Sequence, residues 1–185
     1  MEATVKRITA EEYFEISVEG DRTELIDGVL VVDEPRLIHG VLQARIAAAL
    51  QSWIDGGQGN GLASMPTDVV LDERNVYGPD VLWIAEKHRP ADLEKRLERV
   101  PDLCVEIRSP STWRYDIGEK KRVYEAGGLP ELWLVDNVSE QVYVFRRSEP
   151  DVDHFDVALE LGRDDVLRSR QLRGFAFPLD RLFRR

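Results

Sequence analysis

Two acidic residues lie in or beside apolar strand segments, where charged side chains are uncommon. Asp80 follows the turn-forming pair Gly78-Pro79, and Glu106 interrupts an otherwise apolar strand segment at 103–107. An ionised carboxylate leaves water only at a large free-energy cost unless it is paired or binds a metal ion. Two such groups on neighbouring strands would form the oxygen site that Mg²⁺ or Mn²⁺ prefers. The sequence therefore predicts a divalent-metal site that could activate water beside a phosphate.

A purely structural interpretation of the same carboxylates stays open at this point. Asp80 could cap a turn, and Glu106 could pair with Arg108 or another arginine, because structural ion pairs also bury carboxylates. The residue types alone do not decide between the two interpretations.

Composition limits the class of protein. The 185 residues suffice for one domain, 1–185, and 43% hydrophobic with 32% charged residues is ordinary for a globular protein. No apolar run is long enough to span a membrane, and the first eight residues do not resemble a secretory signal, so a cytoplasmic address is expected. A single cysteine, Cys104, excludes an internal disulfide and a CxxC site.

The net charge of −10 argues against a protein that coats nucleic acid non-specifically. The charge is uneven, since residues 1–86 hold 16 acidic and 6 basic side chains and residues 87–185 hold 19 of each. A nucleic-acid surface is expected from residues 87–99, 114–122 or 168–185, although a solvated face is the commoner explanation for any one such run.

The order of predicted elements favours an α/β sandwich with a mixed central sheet. A capping box at Thr9 and Glu12 predicts a helix over 10–16, Asp27-Gly28 predicts a tight hairpin, and helical periodicity covers 37–54. Strands are predicted at 67–71, 80–85, 103–107, 131–136 and 141–145, with a charged, helical link at 91–98 and a strand or two after residue 153. Asp116 and Glu119 resemble a second capping box, and that helix ends at Gly127-Gly128.

Several motifs in this order resemble one known family. They are Glu24-Leu-Ile-Asp-Gly28, His39-Gly40, Pro79-Asp80-Val81, the segment 105–112, and Tyr115-Asp116 followed by Lys120, Tyr124 and Gly127. The chain is similar to the Uma-two family of restriction endonucleases, within the PD-(D/E)xK nuclease superfamily, over about residues 11–145. The resemblance implies a restriction-endonuclease-like sandwich with a mixed central β-sheet flanked by helices.

The chain departs from the superfamily pattern at one position. Arg108 stands where a lysine is expected two residues after Glu106, and arginine is a poor general base because it does not lose its proton. The resemblance implies that the lysine has moved to the next helix, where Lys120 and Lys121 are both candidates. If Ile117 and Tyr124 face the sheet, geometry does not choose between the lysines, but the family's Lys-x-x-x-Tyr spacing selects Lys120.

The resemblance also suggests roles for three other residues. Glu24 would be a further ligand or would orient a water, and the main-chain carbonyl of Ile107 would join Asp80 and Glu106 around Mg²⁺ or Mn²⁺. His39 could contact the leaving phosphate or a water, although a lone histidine is usually structural.

The expected function is that of a metal-dependent nuclease acting on nucleic acid, DNA rather than RNA, from a homodimer and with no membrane partner. One alternative is a catalytically inactive module that keeps the fold for binding or regulation, which Arg108 and the acidic surface favour. A third is a homodimeric scaffold.

Overall fold

The computed structural model describes residues 6–18 and 20–184, with about as many residues in strands as in helices. In chain order the elements are α1 (Ala10–Ile16), β1 (Thr23–Ile26), β2 (Val29–Val32), α2 (Leu37–Asp55), β3 (Leu62–Ser64), β4 (Val69–Asp72), β5 (Asn75–Tyr77), β6 (Val81–Ile84), a 3-10 turn (Glu86–His88), β7 (Leu103–Ile107), α3 (Trp113–Tyr115), a π-helical turn (Asp116–Lys120), α4 (Lys121–Ala126), β8 (Glu131–Asp136), β9 (Gln141–Arg146), β10 (Val157–Leu161), β11 (Val166–Leu167), β12 (Phe177–Pro178) and α5 (Leu179–Leu182).

The larger sheet has six strands in the order β10-β9-β8-β7-β6-β3. β7 and β8 run parallel, and the other neighbours in this sheet are antiparallel, so the predicted mixed central sheet is confirmed. A parallel pair needs a crossover connection, and residues 108–130 with α3, the π-helical turn and α4 supply it.

A smaller sheet, β2-β1-β5-β4, packs beside the larger one. Its first hairpin turns at Asp27 and Gly28, whose φ angles of 48° and 76° are those of the predicted tight turn. The predicted capping box is also present, because the Thr9 hydroxyl accepts from the Glu12 amide and the Glu12 carboxylate accepts from the Thr9 amide.

Apolar side chains cover both faces of the six-stranded sheet. On one face α2 presents Leu42, Ile46, Leu50 and Trp53 towards Val105. On the other face Val123 and Tyr124 of α4 pack with Cys104 and Leu132. Consecutive strand residues point to opposite faces, so Glu106 lies on the α4 side of the sheet between buried neighbours.

Three sequence predictions fail, and two short strands were missed. Residues 91–98 form no helix, and β3 and β5 were not predicted. The second capping box is also wrong: α3 begins three residues before Asp116, which lies inside the helical segment and interacts with side chains instead of capping. Lastly, Ile117 was expected to face the sheet and is 51% exposed.

Candidate active site

The two strand carboxylates meet at the start of β6 and the end of β7. Val81 pairs with Val105 in the antiparallel register, so the next residue pair outward is Asp80 and Glu106. Side chains directly opposite one another on antiparallel strands have Cβ atoms roughly 5 Å apart. The main-chain amide of Ile107 donates to Asp80 Oδ2 at 2.7 Å, which ties the two strand ends together.

A buried lysine joins them from the crossover connection. Lys120 is 2% exposed, and its Nζ lies 2.9 Å from Glu106 Oε1 and 2.9 Å from Glu24 Oε1. Asp116 Oδ1 lies 3.2 Å from the same nitrogen. One ammonium group therefore contacts three carboxylates that come from β1, β7 and the π-helical turn.

The π-helical turn accounts for this arrangement. Asp116 and Lys120 are each 2% exposed, whereas Ile117 points to solvent. A turn closed by i→i+5 hydrogen bonds holds one more residue than an α-turn, so the buried face shifts along the sequence. Single π-turns of this kind are frequent at functional sites. Here the shift buries one carboxylate and one amine instead of the isoleucine.

Uncharged hydrogen-bond donors around the cluster hold its carboxylates in place. The Tyr124 hydroxyl donates to Glu106 Oε1 at 2.7 Å, and the Gly78 amide donates to Glu24 Oε1 at 2.8 Å. The Thr112 hydroxyl donates to Asp116 Oδ2 at 3.2 Å. Each acidic side chain is thus held in one orientation before any ligand is present.

Asp80 is held by the opposite layer of the protein. His39 of α2 places Nε2 3.1 Å from Asp80 Oδ2, and Gln43, one turn further along α2, donates to the Asp80 carbonyl at 2.8 Å. Burial alone would lower the pKa of His39, but the hydrogen bond and charge of Asp80 raise it overall. The structure therefore places His39 beside Asp80, as a partner of the carboxylate.

The cluster shifts the pKa of its members strongly. Burial raises the pKa of Glu24 to about 7 and that of Glu106 to about 7, against the lowering effect of Lys120. Burial likewise raises the pKa of Asp116 to about 6. The pKa of Lys120, which burial would lower, is held well above its usual value by the surrounding carboxylates. The lysine therefore stays charged. Its single positive charge does not neutralise all of the carboxylates that surround it.

This donor set fits a divalent cation. Glu24, Glu106 and Asp116 contact one ammonium group, and the charge of Asp80 acts on Glu106 and Asp116. The four carboxyl groups leave three surplus negative charges if all ionise and His39 is neutral. Within residues 6–18 and 20–184, no three His, Cys, Asp or Glu side chains form a group that could hold a metal ion by themselves. The predicted set needs only two carboxylates, because the third ligand is the Ile107 carbonyl. Amide and carbonyl of one strand residue point to the same edge, so this carbonyl faces the strand of Asp80.

Arg108 and Lys121 lie outside this cluster. Arg108 pairs with Asp136 at 2.8 Å, so the interpretation in which it neutralises Glu106 is wrong. Lys121 lies 4.5 Å from the centre of the Phe145 ring, as a cation over an aromatic face. The structure thus brings Lys120, and not its neighbour, to the predicted carboxylates.

Sequence reasoning missed Asp116 and Tyr124 as parts of the site. Asp116 was assigned to a helix cap and Tyr124 only to the helix face towards the sheet, yet both contact the cluster. Their spacing of four residues on either side of Lys120 was the available signal, because residues four apart share a helix face.

Comparison with known proteins places the chain in a family. The model of the Uma2 family, described as "Putative restriction endonuclease", matches residues 10–180. The chain belongs to the Uma2 family. The resemblance found in the sequence motifs is therefore confirmed, and it extends further towards the C-terminus than those motifs did.

One relative and one solved structure are similar to this Uma2 protein at low sequence identity. An uncharacterized protein, slr1290, of Synechocystis sp. is 25% identical over 187 residues, which cover 98% of this chain and 94% of the relative. A crystal structure described as a putative nuclease belonging to DUF820 from Anabaena variabilis superposes with a TM-score of 0.79 at 16% identity and covers 95% of this chain and 97% of that chain. At this identity the superposition shows a shared fold. In the described part of the chain no helix is long and apolar enough to cross a membrane.

Proposed function

We propose that this protein is a metal-dependent nuclease, a phosphodiester hydrolase, whose lysine comes from the helical crossover instead of from strand β7. The observation that carries the proposal is the contact of Lys120 Nζ with Glu106 Oε1 at 2.9 Å, beside Asp80. It restores the aspartate, glutamate and lysine set that Arg108 would otherwise break. The description of the family as a putative restriction endonuclease and that of the Anabaena structure as a putative nuclease support the same activity.

Asp80, Glu106 and the Ile107 carbonyl would hold Mg²⁺ or Mn²⁺. A divalent ion in this position supplies a Lewis acid that activates water and neutralises charge at the phosphate. Asp80 is oriented for this role by His39, and Glu106 is oriented by Tyr124. Such supporting contacts set the direction of the ligands before binding.

Lys120 would act on the attacking water or on a phosphate oxygen. Its ammonium group has three protons to donate, and its surroundings keep it charged, so it serves as a hydrogen-bond donor to negative oxygen and not as a base. Glu24 contacts the same nitrogen, which assigns Glu24 to the positioning of Lys120.

The substrate is proposed to be nucleic acid, with DNA preferred to RNA. Pairing of two copies to cut two strands, a single domain over 1–185 and a cytoplasmic address stay predictions.

A cleavage screen tests the proposal. Purified protein is incubated with single-stranded and duplex DNA and RNA in EDTA, Mg²⁺ or Mn²⁺, beside Asp80→Asn and the surface control Asp151→Asn. Cleavage that needs the metal and disappears only in Asp80→Asn is expected. Metal-supported cleavage that survives Asp80→Asn would contradict the assigned site.

A second candidate function is that of an inactive module that retains the fold. The observation in its favour is that Lys120 lies within 3.2 Å of three carboxylates. The ammonium group therefore neutralises part of their charge without a metal ion. A module of this kind would show no shift in melting temperature on adding Mn²⁺. The nuclease proposal expects a shift that Asp80→Asn reduces, because ligand binding to the native state raises stability.

A further inference from the structure

A large cleft leads from the surface to the candidate active site. Its volume is about 1090 Å³, and its floor includes Glu24, Asp80, Glu106 and Lys120. These floor residues are between 2% and 9% exposed, so the reactive groups lie well below the rim. Any substrate must bend into the cleft to reach them.

Three segments of the cleft rim each carry one exposed apolar residue and one basic residue. Each places an exposed apolar side chain close in sequence to a cation: Val18 and Arg22 before β1, Leu37 and Arg36 at the start of α2, and Leu93 and Lys95 in the 91–98 loop. Leu37 is 88% exposed, Val18 72% and Leu93 56%. Single exposed apolar side chains are ordinary, but three of them around the opening of one cleft offer apolar contacts to a ligand that enters it.

The rim cations are available for binding. Arg22, Arg36 and Lys95 form no ion pair with any residue in the described ranges, 6–18 and 20–184. Some other surface arginines are paired, such as Arg122 with Glu119, while others such as Arg168 have no ion-pair partner among the described residues, so what distinguishes the rim cations is their position around the cleft. Cations left without carboxylate partners beside a phosphodiesterase site fit phosphate groups.

Charge on the rim limits what kind of nucleic acid can enter. Four carboxylates, Asp21, Asp33, Asp68 and Glu94, lie among the cations. A duplex carries one phosphate charge per roughly 1.7 Å of its axis, so it meets these carboxylates as well as the cations. Its bases are also stacked inside the helix, where the apolar rim side chains do not reach their faces. A single strand is flexible enough to enter a recessed floor and presents unstacked bases.

We propose that the cleft binds a single-stranded segment of nucleic acid, with phosphates on Arg22, Arg36 and Lys95 and bases against Val18, Leu37 and Leu93. The inference rests on the proposed nuclease function and names the form of its substrate. It accounts for exposed apolar side chains at the mouth of an acidic site, which phosphate binding alone does not require.

Binding to labelled oligonucleotides of one sequence, as a single strand and as a duplex, tests the proposal. The wild-type protein is titrated in EDTA, where no cleavage is expected, and fluorescence anisotropy gives Kd over a series of salt concentrations. We expect the single strand to bind at least about tenfold more tightly, a difference that burial of one or two apolar side chains supplies. Three phosphate contacts predict that log Kd rises with log salt with a slope of about 2.

Paired variants identify the surface. Leu37→Ser is expected to weaken single-strand binding about tenfold. Arg36→Ala should weaken it and lower the salt slope by about 0.7. The controls are Val138→Ser and Arg168→Ala, two exposed residues outside the cleft, and they should leave both values unchanged.

Three results would overturn the inference. They are a duplex that binds as tightly as the single strand, an Arg168→Ala effect as large as that of Arg36→Ala, or a dimer in sedimentation that Leu37→Ser dissociates, since a second copy would then be the occupant. Duplex binding together with metal-dependent cleavage removes the inference and leaves the nuclease function standing. The absence of cleavage of every nucleic acid, with or without metal, counts against the nuclease function itself.

Discussion

Two buried glutamates on neighbouring parallel strands have different surroundings. Glu106 of β7 faces Lys120, Asp116 and Glu24, whereas Glu131 at the start of β8 accepts hydrogen bonds from the Trp133 indole and the Ser169 hydroxyl. Glu131 is the more buried of the two, with no exposed surface. Burial raises the pKa of both side chains.

The comparison teaches that a buried carboxylate does not by itself mark a reactive site. Glu131 is bound by neutral donors from one strand and one loop, and Arg146, its pairing partner on β9, is a cation near it. Around Glu106 the groups come from four separate elements, and their negative charge exceeds their positive charge. A bound ligand of positive charge, such as a metal ion, can neutralise an excess of negative charge that several elements bring together.

The largest expected effect is that of Lys120→Ala. This change removes the ammonium group among the carboxylates around Glu106. Turnover should fall by about 10²–10⁴, the usual cost of losing a positioned donor or proton-transfer group. Single-turnover cleavage at saturating metal measures it. If turnover persists while Arg108→Ala abolishes it, the arginine and not the crossover lysine serves the phosphate.

Asp116→Asn should have the next largest effect. The amide keeps the shape and can still accept from Thr112, but it removes one charge that holds Lys120, and outer partners of this kind are typically worth about 10–100-fold in activity. The lost activity should appear in kcat with little change in KM. Glu119→Gln, on the exposed side of the same turn, is the control and should be silent. An equal loss in Glu119→Gln would mean that the turn is merely being destabilised.

Glu131→Gln should change only the pH dependence of stability. Because burial raises the pKa of Glu131 in the folded state, its contribution is fully present below the pKa of the unfolded chain and is lost as pH rises through the higher folded pKa. The melting temperature of the wild type should therefore fall, relative to that of Glu131→Gln, as pH increases from about 4 towards neutrality. Cleavage activity should be unchanged. Parallel melting curves at every pH would show that Glu131 titrates normally.

Lys121→Ala should give the smallest effect. Its ammonium group lies over the Phe145 ring at a half-buried position, an interaction worth about 0.5–1 kcal/mol. Chemical denaturation measures that loss, and turnover should stay within about twofold of the wild type, as for a residue outside the reacting set. A turnover loss as large as that of Lys120→Ala would remove the contrast between the neighbouring lysines.

The sequence predicted elements whose signals are local. The capping box of α1, the Asp27-Gly28 turn and the apolar strand around Glu106 each depend on residues a few positions apart, and all appear in the structure. The family motif was needed to select Lys120, because an uninterrupted helical period leaves both lysines equally placed.

What could not be predicted depends on interruptions of regular periods and on contacts distant in sequence. The π-helical turn shifts the buried face, which misplaced Ile117 and concealed Asp116. Glu24 and Lys120 are 96 residues apart, so no local pattern pairs them. The short strand β5 has three residues, and its edges are set by pairing with β1 and β4 instead of by composition.

The parallel pairing of β7 with β8 also bears on how the protein folds. Parallel strands cannot meet until the chain between them has closed a long loop, which makes such pairings slow and late. The segment 108–130 that closes this loop is also the one that carries Lys120. The lysine and the strand carboxylates are therefore expected to come together as β7 and β8 pair. A partly folded chain would hold the strands and the lysine apart, so the capacity to cut nucleic acid would arise in the last step of folding.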